Sequence, residues 1–184
     1  HCVLEAFLMI GFKWLFRTPL VFVFEGHTNL EARIARYTNR QIAISKTIIK
    51  KCLTRFGYKP VLIPVGVDSK RFKPEGKKTQ FDITGRKKII LSVGRLSPPK
   101  NFQLLISAAA IVYSKDPNFM FLIVGEGSER NNLEKLINKL GLNGKVILTG
   151  KVSDEELPTY YRSADIFVNT EKNGGDQFWI VVVE

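Results

Sequence analysis

Residues 88–96 read Lys88-Ile89-Ile90-Leu91-Ser92-Val93-Gly94-Arg95-Leu96, an apolar run that ends in a glycine followed by an arginine. The apolar run predicts a buried β-strand, and the glycine lets the backbone after the strand come close to a ligand. Arg95 and the nearby Lys100 add two cations to the same turn. The stretch therefore predicts a strand of an α/β sheet whose carboxyl end binds an anion.

Two more motifs follow the same scheme further along the chain. Val124-Gly125-Glu126-Gly127 ends the apolar run Phe119–Val124, and Asp176-Gln177-Phe178 precedes Glu184. In an open α/β sheet, ligands collect at the carboxyl edge of the strands, so three such motifs in order indicate a diphosphate-bearing nucleotide derivative. A second explanation stays open for the middle motif, which is also typical of a strand-to-helix turn with Ser128 as the helix cap.

The pattern of residues 88–169 predicts alternating strands and helices, and hence a parallel sheet with right-handed crossovers. The predicted strands are Lys88–Val93, Phe119–Val124, Lys145–Leu148 and Ile166–Asn169. The predicted helices are Asn101–Ser114, a helix opened by Ser128 with Leu133, Leu136, Ile137 and Leu140 on one face, and a helix opened by a capping box of Ser153 and Glu156.

The first part of the chain is predicted to hold fewer elements of the same kinds. They are helix Glu5–Phe16, strand Leu20–Phe24, strand Gln41–Ile44, a helix capped by Ser45 with the apolar stripe Ile48, Ile49, Cys52, Leu53 and Phe56, and strand Val61–Pro64. The segment Asp68–Arg86 is rich in Lys, Gly and Pro and lacks periodicity, which predicts a linker between domains.

The order of these motifs resembles that of retaining glycosyltransferases of family 4, which have the GT-B fold. The resemblance covers nearly the whole chain and rests on Ile42-Ala43-Ile44-Ser45, Ile63-Pro64-Val65-Gly66-Val67-Asp68, Ile89–Leu96, Lys100–Leu105, Phe121–Gly127, Leu148-Thr149-Gly150, Leu157–Tyr161 and Ala164–Val168. It implies an α/β fold in which a C-terminal Rossmann-like domain follows part of a second one.

Because a GT-B enzyme needs two complete Rossmann-like domains, we expect 184 residues to be a fragment that is inactive alone. Residues 1–84 are expected to form a partial N-terminal, acceptor-side domain and the interdomain linker. Residues 85–184 are expected to form the C-terminal nucleotide-sugar donor-binding domain, truncated at its end.

The resemblance also implies a role for each candidate site residue. Arg95 and Lys100 would act in catalysis by stabilising the departing nucleoside diphosphate. Asp176 and Glu184 match the family's carboxylate pair, with Asp176 assigned to catalysis and Glu184 to donor binding. The remaining donor-binding positions are Gly94, Gly125, Gly127, Gly150 and Val152.

Two features of this family pattern leave alternatives open. His27, with Glu25 beside it, is a candidate acceptor-side residue, although an ordinary loop histidine is an equal explanation. Asp176 is one methylene shorter than the family's glutamate, and Gln177 and Trp179 stand where glycines often flank the phenylalanine. Residues 178–183 have strand propensity, but the resemblance implies a helix aimed at the diphosphate, and we expect the helix.

The implied function is transfer of a sugar from a nucleotide diphosphate sugar to an acceptor hydroxyl with retention of anomeric configuration, without a metal or other cofactor. A non-catalytic nucleotide-sugar binding module is the first alternative, favoured by the departures around Asp176. A GT-B-like nucleotide-sugar epimerase is the second, and the Gly94-Arg95-Leu96…Lys100 run argues against it. The expected partners are a nucleotide-sugar donor and a carbohydrate or lipid-linked acceptor.

Composition and charge say less than the motifs about the partners and location of the protein. The net charge of +11 fits an anionic membrane surface or an ordinary basic surface, whereas scattered cations without a recognition helix argue against nucleic acid. Two histidines and two distant cysteines cannot form a zinc cluster. With no visible signal peptide, we expect a cytoplasmic location, with peripheral contact at the inner membrane face left open.

Overall fold

The computed structural model describes residues 10–24, 29–79 and 88–171 of the chain. These residues belong to two compact units, one that ends at Gly66 and one that begins at Val67. Each unit is built on its own parallel β-sheet. Among the described residues, no helix has both the length and the apolar content needed to cross a membrane.

The first unit has a three-stranded parallel sheet in the order β1-β2-β3. Its strands are β1 Val21–Phe24, β2 Arg40–Ala43 and β3 Val61–Leu62. Its helices are α1 over residues 10–16, α2 Asn29–Ala35 and α3 Lys46–Phe56. The helix α2 was not predicted, because its seven residues are too few to give a clear apolar period.

Helix α3 begins and packs largely as the sequence predicts. Ser45 caps it, and the Ser45 Oγ accepts a hydrogen bond from the Ile48 N–H at 3.2 Å. Ile48 and Cys52 are fully buried in the small core of this unit, together with Phe24. Leu53 departs from the predicted stripe, since half of it is exposed.

The second unit has a four-stranded parallel sheet in the order β6-β5-β4-β7. Its strands are β4 Lys88–Val93, β5 Phe119–Val124, β6 Val146–Gly150 and β7 Ile166–Phe167. A 3₁₀ turn, Pro98–Lys100, precedes the helices α4 Phe102–Lys115, α5 Arg130–Lys139 and α6 Leu157–Ser163. The chain winds outward from β4 to β6 and then crosses to the other side of β4 to form β7. The strand order therefore reverses between β4 and β7.

Side chains of β4 and β5 alternate between two buried faces, which is why both strands read as continuous apolar runs. One face packs Ile90, Phe121 and Ile123 against helices α4 and α5. The other face carries Leu91 and Leu122, and α6 packs on it. Burying a side chain such as Leu91 contributes about 1.5–3 kcal/mol, so these layers fix the positions of the strand ends.

Strand β6 pairs with β5 through an irregular register. Ile123 is opposite Leu148, but Val124 is opposite Gly150, so Thr149 is an extra residue on the β6 side. The Thr149 hydroxyl donates to the Gly150 carbonyl at 3.1 Å. This β-bulge ends the regular part of β6.

The starts of α5 and α6 differ in how well local sequence predicts them. Before α6, the Ser153 N–H donates to Glu156 Oε2 and the Glu156 N–H donates to Ser153 Oγ, both at 3.2 Å, so the two bonds of the predicted capping box form. The helix itself begins later than predicted, at Leu157. The prediction of Ser128 as the cap of α5 is wrong, because the helix begins at Arg130 after Glu129. The Glu129 N–H instead donates to the Leu96 carbonyl of a neighbouring loop at 3.0 Å.

The described part of the predicted linker, residues 68–79, belongs to the second unit and lies on α6. Arg162 of α6 donates from Nε to the Lys77 carbonyl at 2.7 Å and from Nη1 to the Lys73 carbonyl at 3.4 Å. The rings of Phe72 and Tyr161 meet edge to face at 5.9 Å. The segment has no helix or strand, but it is fastened to the domain that follows it.

Candidate functional site

The candidate site lies where the strand order of the second unit reverses, at the carboxyl ends of β4 and β7. In an open α/β sheet, this is where a crevice forms and ligands bind. The chain leaves β4 through Gly94 and Arg95 and reaches Lys100, and it leaves β7 through residues 168–171. The buried Ser92 Oγ donates to the Val168 carbonyl at 2.7 Å, which holds the two strand ends together.

Lys100 is fixed at both its backbone and its side chain by residues that follow β7. The Lys100 Nζ lies 2.7 Å from Glu171 Oε2, and the two side chains are 25% and 7% exposed. The Thr170 Oγ1 donates to the Lys100 carbonyl at 2.9 Å. The loop after β7 thus holds the turn after β4 across the crevice.

Arg95, by contrast, follows β4 in the same turn without a side-chain partner among the described residues. It is exposed, and nothing within the described ranges forms a hydrogen bond or ion pair with its guanidinium. Its carbonyl accepts the Ser97 N–H at 2.8 Å, which shapes the turn. Arg95 is therefore able to form a bidentate contact with an anion without first breaking another pair.

Gly94 is not required by the packing of the protein itself. A methyl group at this position would lie 3.5 Å from the Phe102 ring and 3.7 Å from the Lys100 stem, which are ordinary contacts. The absence of a side chain is therefore unexplained by the fold. It leaves room for no more than a small group between the backbone and the Phe102 and Lys100 side chains, and it lets a ligand approach the backbone there.

Gly125 and Gly127 are required by packing, because the loops after β4 and β5 touch backbone to backbone. A Cβ atom on Gly125 would lie 1.9 Å from the Gly94 carbonyl oxygen, and one on Gly127 would lie 2.3 Å from that of Leu96. The Gly94 N–H donates to the Val124 carbonyl at 2.9 Å. Of the two explanations for this motif, the turn explanation accounts for both glycines. The turn after β5 also contacts the backbone of Gly94, which precedes Arg95.

Gly150 and Val152 lie at the end of β6, beyond β5. The Gly125 N–H donates to the Gly150 carbonyl at 2.9 Å, so Gly150 joins the same network of loops. The side chain of Val152 packs in the core beneath α6. Beside Gly150, Arg130 pairs with Glu126 and, at 2.8 Å, with Glu134, so its guanidinium is occupied.

The structure thus brings Gly94, Arg95 and Lys100 together at one point and places the Gly125 and Gly150 loops next to it. The other predicted site residues, Asp176, Glu184, Glu25 and His27, lie outside the described residues. Within the described part of the chain, no group of three or more His, Cys, Asp or Glu side chains could hold a metal ion.

Sequence reasoning missed Glu171, Thr170 and Asn169. The Asn169 Oδ1 accepts the Glu171 N–H at 3.2 Å, whereas its buried Nδ2 has no hydrogen-bond partner in the described part of the structure. The signal that could have found these residues is their place directly after the β7 strand, at the same sheet edge as Gly94.

Comparison with solved structures shows the fold. An Anabaena HepE structure in complex with UDP-glucose matches 92% of this chain and 51% of that chain with a TM-score of 0.73 and 21% identity. A structure of an S. aureus TarM variant in complex with UDP matches 88% of this chain and 35% of that chain with a TM-score of 0.64 and 24% identity. The fold is the Rossmann-like α/β type of GT-B glycosyltransferases, as predicted.

Comparison of sequences shows the family. Mannosylfructose-phosphate synthase of Agrobacterium fabrum is 32% identical over 81% of this chain and 36% of its own length. D-inositol 3-phosphate glycosyltransferase of Salinispora tropica is 28% identical over 84% of this chain and 36% of its own length. The chain thus spans about a third of the length of these relatives. The model of the family described as glycosyl transferases group 1 matches residues 75–184, and the chain belongs to this family.

Proposed function

We propose that the protein transfers a sugar from a nucleotide diphosphate sugar to an acceptor hydroxyl with retention of anomeric configuration. Residues 85–184 supply the donor-binding domain, and residues 1–84 supply part of the acceptor-side domain and the linker. The observation that carries this proposal is that the turn with Arg95 and Lys100 follows β4 at the sheet edge where the strand order reverses, and that Lys100 is bound there by the loop after β7. The names of the family relatives, which are glycosyltransferases, support the reaction type.

Arg95 and Lys100 suit the charge that such a reaction develops. As the bond between the anomeric carbon and the diphosphate oxygen breaks, negative charge builds on the leaving diphosphate. Cations and N–H groups already held in place stabilise that charge without reorganising. The guanidinium of Arg95 offers two parallel N–H donors, and Lys100 offers a compact charge whose position Glu171 fixes.

The backbone of the turn after β4 adds one more donor. The N–H groups of Gly94 and Leu96 are both used, donating to the Val124 and Glu126 carbonyls at 2.9 Å. The Arg95 N–H has no acceptor among the residues that the structure describes. We assign this N–H to a phosphate oxygen, which can approach the backbone closely because the neighbouring Gly94 has no side chain.

The other roles rest on the resemblance to family 4. Asp176 would bind hydroxyls of the donor sugar, and Glu184 would bind the ribose hydroxyls. Gly150 and Val152 would approach the nucleobase through backbone atoms, and His27 with Glu25 would face the acceptor side. Because Arg95 and Lys100 provide the countercharge, the proposed reaction needs no metal.

We propose only the chemical class of the donor and of the acceptor. GDP-mannose is named for a Corynebacterium glutamicum relative, and UDP accompanies the HepE and TarM structures. A Streptococcus pneumoniae relative is named for a diacylglycerol product. A carbohydrate or lipid-linked acceptor fits these names. The net charge of +11 suits peripheral contact with an anionic membrane face, which we propose together with a cytoplasmic location, and we assign the protein no nucleic acid partner.

Calorimetric titration of UDP and of GDP into the full chain tests the diphosphate site. Arg95→Ala should weaken binding by roughly 10- to 100-fold, since a hydrogen bond to a charged group contributes about 1.5–3 kcal/mol. Lys139→Ala, which removes an exposed cation from the end of α5, is the matched control and should have little effect. Arg162 would be a poor control because its side chain fastens residues 68–79.

Two outcomes of the titration would contradict the proposal. Equal losses from Arg95→Ala and Lys139→Ala would make Arg95 an ordinary surface cation. Binding that disappears in the presence of a chelator and returns with magnesium would contradict the metal-free site.

Activity of the full-length protein separates the three candidate functions. A transferase releases nucleoside diphosphate only when an acceptor is present, and nuclear magnetic resonance of the product reports the anomeric configuration. Binding without release would favour the non-catalytic module. Conversion of the donor sugar without any acceptor would favour the epimerase.

A further inference from the structure

The ion pair of Lys100 and Glu171 places a carboxylate inside the proposed diphosphate site. The Lys100 Nζ and the Glu171 Oε2 are 2.7 Å apart, and the Glu171 side chain is only 7% exposed. A diphosphate that approaches Lys100 therefore also approaches a negative charge. The inference below rests on the proposed function, because it concerns which ligands that site prefers.

The backbone around Glu171 is fixed by hydrogen bonds of its own N–H and of the neighbouring Thr170. Its N–H donates to Asn169 Oδ1 at 3.2 Å, and the adjacent Thr170 hydroxyl donates to the Lys100 carbonyl at 2.9 Å. The carboxylate is also shielded from water. Turning it away from Lys100 would leave a buried negative charge without a partner, which is unfavourable. A lysine ammonium has three donors and Glu171 occupies one, so a phosphate oxygen can bind Lys100 while Glu171 stays beside it.

The repulsion from a fixed carboxylate depends on the charge of the ligand. In a nucleotide diphosphate sugar, both phosphates are esterified. In the free nucleoside diphosphate, the terminal phosphate has a second ionisation with a pKa of about 6 and carries an additional negative charge at neutral pH. Like charges at short range repel strongly where the surroundings are partly buried. Glu171 therefore repels the product more than the donor.

We propose that Glu171 is a specificity-determining residue that favours the intact nucleotide-sugar donor over the nucleoside diphosphate product. Lys100 attracts both ligands, and Glu171 lowers the affinity most for the ligand with the additional negative charge. The pair therefore binds the donor while keeping the product from occupying the site after transfer.

Titration of the full chain with UDP and UDP-glucose, and with GDP and GDP-mannose, tests this role. In Glu171→Gln, the affinity for the nucleoside diphosphate should rise about tenfold or more relative to that for the matching nucleotide sugar. Glu171→Ala is a second neutral variant and should shift the ratio in the same direction. Glu171→Asp keeps the charge and should stay close to the wild-type ratio. Glu155→Gln removes an exposed carboxylate before α6 and should leave the ratio unchanged.

The possible failures are distinguishable. If the wild-type chain binds neither ligand of either pair, the proposed diphosphate site is itself wrong. If it binds both ligands but a folded neutral variant leaves their ratio unchanged, the role of Glu171 is wrong and the site stands. If Glu171→Asp shifts the ratio as far as Glu171→Gln does, the effect comes from geometry, and the electrostatic explanation is refuted.

Discussion

Replacing Gly125 with alanine should strongly destabilise the second unit. The new Cβ atom would lie 1.9 Å from the Gly94 carbonyl oxygen, a distance that only a shift of backbone can relieve. Gly94 is held by its bond to Val124 and Gly125 by its bond to Gly150, so the shift would break at least one backbone hydrogen bond worth about 1 kcal/mol. Gly125 also has a φ of +143°, where a non-glycine residue costs about 1–3 kcal/mol.

Together these effects predict a loss of about 3–5 kcal/mol in the free energy of unfolding, once the overpacking cost is included. Urea unfolding of the full chain, followed by circular dichroism, measures it. Gly144→Ala is a matched control, since Gly144 has a φ of +71° but nothing within 4 Å of an added methyl group. It should lose only about 1–2 kcal/mol, the cost of the left-handed backbone alone.

The difference in the free energy of unfolding between the two variants tests the close approach of the two loops. If Gly125→Ala loses no more stability than Gly144→Ala, the close approach of the loops after β4 and β5 is wrong. An observed difference of the predicted size would show that the packing of the two loops alone requires glycine at position 125, independently of any ligand.

Three further substitutions have separate readouts. Gly94→Ala should change the midpoint of unfolding little, because its methyl group makes only ordinary contacts, yet weaken UDP or GDP binding by about tenfold or more; unchanged binding would contradict a close phosphate. Ser45→Ala should lower the free energy of unfolding of the first unit by about 1 kcal/mol by removing the α3 cap, as urea unfolding would show. Arg162→Ala should speed tryptic cleavage within residues 68–79, and an unchanged rate would mean that other contacts hold this segment to α6.

The sequence predicts the central strands best, and the reason is burial. Strands β4 and β5 have the predicted bounds, Lys88–Val93 and Phe119–Val124, because both faces are covered and the whole run is apolar. Strand β7 ends at Phe167, earlier than predicted, because only Ile166 and Phe167 pair with β4. The start of α5 was misplaced because a carbonyl from a distant loop binds the N–H of Glu129, the residue before the helix, which no local pattern reveals.

The candidate site follows the same division between local and long-range information. The prediction that Gly94 and Arg95 directly follow the carboxyl end of a strand comes from a local pattern, and β4 does end at Val93. Glu171 could not be predicted as the partner of Lys100, because the two residues are 71 positions apart in the chain. Likewise, Gly125 owes its lack of a side chain to the Gly94 carbonyl, which is near only after the sheet has formed.

The bulge at Thr149 also affects how the protein behaves at high concentration. Among the strands that the structure describes, β6 lies at one edge of its sheet, and an edge strand exposes unpaired N–H and C=O groups that can recruit a strand from another molecule. The bulge restricts the regularly paired part of β6 to Val146, Ile147 and Leu148, and it twists the backbone beyond them. Because this regular part of β6 is so short, an incoming strand could form few hydrogen bonds with it. The bulge therefore protects this partly apolar edge of the sheet from self-association.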